Sequence, residues 1–383
     1  MFPEYVVQCL DTLQKNGINA YLVGGCVRDL MLSKSPDDYD ITTDAPPEKI
    51  CDIFEKVIKT GIKHGTVTVI IQNHQIEITQ MRTDGGYTDC RRPDFVLPCD
   101  DIKTDLARRD FTINAMAMDK DGLLVDIFDG REDLSRKIIR TVRNPRDRFQ
   151  EDALRILRAF RFSAKLGFEI EENTLNAALE LSKNLKFVST ERIFAELSKT
   201  LIADNCQKIA PLCDNSGLSP FMINCGDLSK LPTVANTLKA RFALFLLLTN
   251  SQLSACEKLK VPNTLRKFTA FCFENINCGT ADHTIKKVIS QIGVDDAIDF
   301  FEVRAVFKNE PFDSERIKIL SLDPCGIKDL EIGGNDLIAL GAKGQEISQI
   351  LEKLIDIVRF NKSQNTADNL KNTAKNMIQK GEF

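Results

Sequence analysis

The sequence predicts an α+β fold, a small mixed-sheet head followed by an all-helical remainder. Two patterns predict it. Apolar residues alternate along Val67 to Gln72 and Gln75 to Met81, the mark of half-buried strands. From 150 to 203 they recur at helical spacing instead, with few strand signals.

The elements follow in order. Val6 to Lys15 has helical spacing and stops at Asn16-Gly17. Asn19 to Val23 reads as a buried strand running into Gly24-Gly25, and Cys26 to Leu32 as a short helix. Tyr39 to Thr42, Ala115 to Met118 and Leu123 to Ile127 read as further strands. Beyond Lys137 the pattern is helical to Phe383, punctuated at Asn215-Ser216-Gly217, Asn277-Cys278-Gly279 and Asp323-Pro324-Cys325-Gly326. The length, 383 residues, suits two or three domains.

Composition narrows the function. Hydrophobic residues make up 43% and charged residues 28%, as in a soluble globular protein. No run of about 18 apolar residues suggests a membrane span, and Glu4 and Asp11 argue against a secretory signal. The twelve cysteines include no C-x-x-C pair and only three histidines accompany them, so a zinc site is not expected. Free thiols in a reducing cytoplasm are. The net charge of −4 hides a basic stretch. Arg131 to Lys165 holds eleven Lys/Arg against five Asp/Glu, enough to hold phosphates, although such runs are usually solvated faces.

Three constellations carry chemistry. In the first, Gly24-Gly25 after a strand lets the backbone approach a phosphate, and the following helix start offers free N–H groups. Arg28 adds a charged fork. Asp38 and Asp40, two apart on a strand, point to one face, where they repel unless a cation sits between them. Mg²⁺ wants one or two carboxylates plus substrate phosphates, and a pair of such ions can activate a hydroxyl and stabilise leaving pyrophosphate. Glu77 shares a face with Gln75 and Thr79. It is either a third carboxylate or an exposed strand residue. In the second, Arg108 and Arg109 can hold a triphosphate or primer phosphate, or be a surface patch neutralised by Asp105 and Asp110.

The third runs from Glu151 to Phe162. Asp152 and Arg155, three apart, are expected on one helix face. They make either a local ion pair or a protein template for a base. In the template, Arg155 donates to N3 and O2 of cytosine or N1 of adenine, and Asp152 accepts from the exocyclic amine. Guanine and uracil reverse that order and are rejected.

Together these motifs resemble the class II CCA-adding enzyme and bacterial poly(A) polymerase family. Gly24-Gly25 with Asp38-x-Asp40 resembles the nucleotidyltransferase signature. Arg108 to Ala115, Asp126 to Gly130 with Asp133-Leu134, Glu151 to Phe162, and Glu191-Arg192 with Glu196-Leu197 resemble four further family motifs. Gly334 to Gly341 resembles the family's tail. The likeness is dense from about 20 to 200 and patchy from 200 to 310.

The resemblance implies a polymerase-β-like nucleotidyltransferase head (1–137), a helical neck that selects the nucleotide (138–203), and a helical body (204–322) and tail (323–383) that bind tRNA. It implies Asp38 and Asp40 as Mg²⁺ ligands and Glu77 as the third acidic position. Gly25, Arg28, Arg109, Asp152, Arg155, Arg158 and Arg161 are implied contacts for CTP and ATP. Residues 82–101, with Tyr87 and Arg91-Arg92-Pro93, resemble the flexible loop of full CCA-adding and A-adding enzymes. The expected activity is addition of CCA to the 3′ end of tRNA. An A-adding enzyme, a poly(A) polymerase, a small-molecule nucleotidyltransferase and a non-catalytic RNA-binding protein are the alternatives.

Overall fold

The structure is a computed structural model that describes residues 2–59, 61–85, 95–214, 218 and 226–382. The chain divides into two compact units. One comprises 1–225 with 258–260, and the other the remaining residues from 226 onward.

The first unit opens with α1 (Glu4–Lys15), β1 (Ala20–Val23), α2 (Gly25–Met31), β2 (Asp40–Thr43) and α3 (Pro47–Ile53). The strands β3 (Val57–Ile58), β4 (Thr66–Ile71) and β5 (His74–Gln80) follow. A separate antiparallel pair, β6 (Arg82–Gly85) and β7 (Phe95–Pro98), forms within residues 82–101, where the resemblance implies a flexible loop, because backbone groups of the two arms pair with each other; Tyr87, Arg91, Arg92 and Pro93 lie outside the described residues. Then come α4 (Ile102–Ala107), β8 (Met116–Met118), β9 (Leu124–Asp126) and α5 (Gly130–Arg136). The main sheet has seven strands in the order β3-β4-β5-β2-β1-β8-β9. It is mixed, because β2 and β5 run parallel while the other pairings are antiparallel. The alternation in β4 is visible in its burial: Val67, Val69 and Ile71 are buried and the residues between them half-buried.

The neck is helical apart from a short parallel pair, β10 (Ile138–Ile139) with β11 (Glu169–Ile170). Its helices are α6 (Pro145–Glu151), α7 (Leu154–Leu166), α8 (Glu172–Glu180), α9 (Thr190–Leu201) and α10 (Ala210–Asp214). Asn144 starts α6 by accepting a hydrogen bond from the Arg146 N–H, and Pro145 fits the first turn, where no N–H partner is needed. The head core does not stop at 137. Ile139, Ala159, Phe162 and Phe168 belong to the same apolar cluster as Leu22, Ile41 and Ile78. That shared core fixes α7 against the sheet.

The second unit is all helical, from α11 (Leu238–Leu248) through α12 (Ser254–Lys258), α13 (Asn263–Asn275), α14 (Asp282–Ile292), α15 (Val294–Lys308), α16 (Ser314–Leu320), α17 (Gly334–Ala339) and α18 (Gln345–Phe360) to α19 (Ala367–Lys380). It holds two cores. One gathers Phe268, Ile285, Phe300 and Ile317, the other Leu337, Ile350, Leu354 and Leu370. The expected breaks at 277–279 and 323–326 fall between helices, whereas 215–217 lie outside the described residues. Among the described residues no helix is long and apolar enough to cross a membrane.

Candidate active site

A cavity of about 890 Å³ opens between the sheet of the head and the neck helices α7 and α9. Its floor is β2 and β5. Their parallel register sets Asp40 beside Glu77 and Thr42 beside Thr79. Register partners in a parallel pair share a face, so two carboxylates and two hydroxyl-bearing residues line the cavity together. The Asp40 pKa is raised, first by partial desolvation and then by the charges of Glu77 and Asp38; Arg109 opposes this.

Asp38 sits differently from the expectation of two aspartates within one strand. β2 begins at Asp40, and Asp38 lies in the exposed bend before it. A strand end is where backbone pairing runs out, so the alternation that sets the side-chain faces extends past it. Tyr39 is buried between two exposed aspartates, and Tyr5 packs edge-on against its ring at 6.0 Å. Asp38 is thereby kept near enough to be felt at Asp40.

The donor set suits a hard divalent cation. Among the described residues no three His, Cys, Asp or Glu side chains converge into a metal cage. Asp40 and Glu77 instead offer the one or two carboxylates that Mg²⁺ takes when substrate phosphates complete its shell.

The glycine turn is built for close approach. Gly24 has φ +77°, a conformation costly for other residues, and a Cβ there would stand 3.1 Å from a guanidinium nitrogen of Arg109. Gly25 opens α2. Arg109 donates to Asp105 at 3.1 Å, but its buried Nε meets no protein acceptor. Asp105 is fully buried at the end of α4 and also takes Arg108, at 2.7 Å. Burial pushes the Asp105 pKa up, yet the two guanidiniums outweigh this and the net shift is downward.

The remaining arginines are held by carboxylates. Arg28, 4% exposed, spans both oxygens of Asp29 at 2.9 and 3.0 Å and donates to Asn114 at 2.8 Å. Arg158 donates to Asp110 at 2.7 Å, and Arg161 to Glu196 at 3.1 Å. Asp110 also ends below the usual carboxylate range; burial raises its pKa, but the Arg158 charge outweighs this. The Phe162 ring lies under three of these cations, with Arg161 at 4.4, Arg158 at 5.3 and Arg28 at 5.5 Å.

Asp152 and Arg155 both line the cavity but do not share a helix. The chain breaks at Asp152, between α6 and α7, because its carboxylate accepts from the Leu154 N–H at 3.1 Å and so competes with a continuous helical backbone. Its other oxygen accepts from Arg192 at 2.8 Å. Arg155 donates to Glu151 at 2.5 Å and to the carbonyls of Arg148 and Arg108 at 3.1 and 3.0 Å. Of the two alternatives read from the sequence, the local ion pair does not form; Asp152 and Arg155 are two separately braced groups on one wall.

All the expected site residues except Asp38 line this cavity. Motif reading gave no role to the packing of Phe162, the brace Asn114, or Lys165 and Lys199 on the wall. The i,i+3 and i,i+4 spacings of Arg108 and Arg109 from Asp105, and of Arg155 from Glu151, were signals available for the braces.

Comparison with known proteins places the chain in a family. Residues 20–140 match the model of the poly A polymerase head domain, and 167–223 that of a probable RNA and SrmB-binding site of polymerase A. The CCA-adding enzyme of Lactobacillus helveticus is 36% identical over 94% of this chain and 93% of its own. The corresponding enzyme of Oceanobacillus iheyensis is 50% identical, over 52% of this chain and 50% of its own. Among solved structures, the Bacillus stearothermophilus CCA-adding enzyme in complex with CTP superposes with a TM-score of 0.86 at 29% identity, covering 100% of this chain and 99% of that one. With its mixed-sheet head and braced neck wall, the chain belongs to the family of CCA-adding enzymes, which are nucleotidyltransferases.

Proposed function

We propose that this protein adds CCA to the 3′ end of tRNA, drawing on CTP and ATP and using Mg²⁺, without a nucleic-acid template. The observation that carries the reading is the facing of Asp40 and Glu77 across β2 and β5, in the same cavity as Asp152 and Arg155. The reaction is attack of the RNA 3′ hydroxyl on the α-phosphate of the bound nucleotide, with pyrophosphate leaving.

Asp40 and Glu77 would hold the cation, with Asp38 adding negative charge from the bend before β2. When bound, Mg²⁺ supplies Lewis-acid stabilisation of charge on the phosphate oxygens. The chain's own residues do the rest. Gly24 and Gly25 bring the backbone to the triphosphate, and the Arg109 guanidinium lends positive charge to the same oxygens. Arg28, Arg158 and Arg161 keep positive charge on the wall, balanced by Asp29, Asp110 and Glu196.

Asp152 and Arg155 read the base. Arg192 and Glu151 stop either from turning away, so the donor–acceptor order is fixed before a nucleotide arrives. Cytosine and adenine meet that order, and uracil and guanine face like groups.

The test is extension of tRNA lacking CCA. CTP alone is expected to add two residues, and CTP with ATP three. Long tails from ATP alone would establish a poly(A) polymerase instead.

A further inference from the structure

The charges of the cavity are unevenly compensated. Each arginine on its wall has a carboxylate partner: Asp29, Asp105, Glu151, Asp110, Glu196 or Asp152. Two cations of the same wall are different. Lys165, in the last turn of α7, and Lys199, in the last turn of α9, are exposed, and among the described residues neither makes an ion pair.

The helix pairing brings these lysines to the same rim of the cavity. α7 and α9 pack together and run in the same direction. Asp152, before α7, meets Arg192, and a few turns on Arg158 and Arg161 meet Glu196. One further turn along each helix gives Lys165 and Lys199. At ~1.5 Å per residue, Lys165 stands roughly 15 Å along the α7 axis from Arg155, away from the base-reading wall. Ile202, 43% exposed, and Ala203 continue the same rim.

Two exposed cations on one rim without a protein counter-ion among the described residues make that rim attractive to an anion. We propose that Lys165 and Lys199 grip phosphodiester groups near the 3′ end of the RNA primer, with Ile202 as an apolar support for a ribose or base. This rests on the functional reading above. Exposed, flexible ammonium groups suit a sequence-independent hold on a backbone. The inner arginines, braced by carboxylates, are pre-set for a triphosphate. Lys199, Ile202 and Ala203 also fall within the segment that matches the probable RNA-binding model.

The probe is tRNA lacking CCA, labelled for fluorescence anisotropy, titrated over a range of salt with neither nucleotide nor Mg²⁺ present. CTP affinity is measured separately by calorimetry. The Lys165→Gln, Lys199→Gln double variant is expected to bind tRNA about tenfold more weakly at low salt. Its plot of log affinity against log salt flattens by about 1.4, as for two phosphates of a single strand. CTP affinity does not change, and the double Lys→Arg variant restores both tRNA readouts.

Unchanged tRNA affinity and slope overturn the proposal. So does a loss of CTP affinity with tRNA binding intact, which assigns the lysines to the nucleotide's triphosphate. Wild-type protein that binds no tRNA overturns the functional reading itself, which separates the two failures.

Discussion

At Asp40, partial desolvation and two neighbouring carboxylates act against Arg109 and raise the carboxyl pKa, the setting in which a bound cation stabilises the ionised form. Replacing Asp40 by Ala removes a ligand while leaving the strand pairing of β2 intact. Nucleotide addition is expected to fall by about 10³-fold or more in kcat, on the scale of losing a main transition-state contact, with the thermal midpoint nearly unchanged. Steady-state incorporation of CMP measures this, and a variant retaining wild-type kcat removes Asp40 from the chemistry. Gly24 carries a second prediction at the same scale. Gly24→Ala combines a positive φ with a Cβ 3.1 Å from Arg109. The backbone strain alone costs about 1–2 kcal/mol. The KM for CTP is expected to rise, because Arg109 has to move from the place where phosphate arrives.

The elements explain why the site is rigid and which parts of it were legible beforehand. β4 and β5 could be read because each is half-buried, so the periodicity of two is written in the residues. The break at Asp152 was hidden, because helical spacing runs on through 150–166 and only the side-chain bond to the Leu154 N–H shows the interruption. Partner choice was hidden too. Asp110 lies 48 residues from Arg158, and Glu196 lies 35 from Arg161, so those pairs exist only once the head and neck share a core. Glu77 remained open in the sequence for the same reason, since its place beside Asp40 depends on a parallel pairing between strands that are not consecutive in the chain.

The buried carboxylates predict a pH dependence of stability. Asp105 and Asp110 titrate below the usual range, so their stabilisation is complete above the unfolded value near 4 and is lost as pH falls through their lowered values. Denaturant melts at stepped pH are expected to show steep acid destabilisation. Asp105→Asn is expected to lose about 3 kcal/mol at neutral pH and to give a flatter acid limb. A wild-type profile as flat as the variant's contradicts the pairing.

Across the whole molecule, the residues proposed for chemistry and nucleotide choice lie in the first unit, and the second adds helices with cores of their own. Chelation of divalent ions is therefore expected to abolish turnover while leaving the unfolding temperature unchanged, because the apolar cores rather than a metal hold the fold. The central claim is that one prearranged wall, Asp152 braced by Arg192 and Arg155 braced by Glu151, chooses the nucleotide. It is tested most directly by single-turnover incorporation of each of the four nucleotides, offered one at a time, onto tRNA lacking CCA or ending in CC. The account predicts CMP on the first and AMP on the second, with UMP and GMP slower by about 10³-fold or more on both, and loss of that discrimination in Asp152→Ala. Incorporation of UMP at the rate of CMP by the wild-type protein would contradict it.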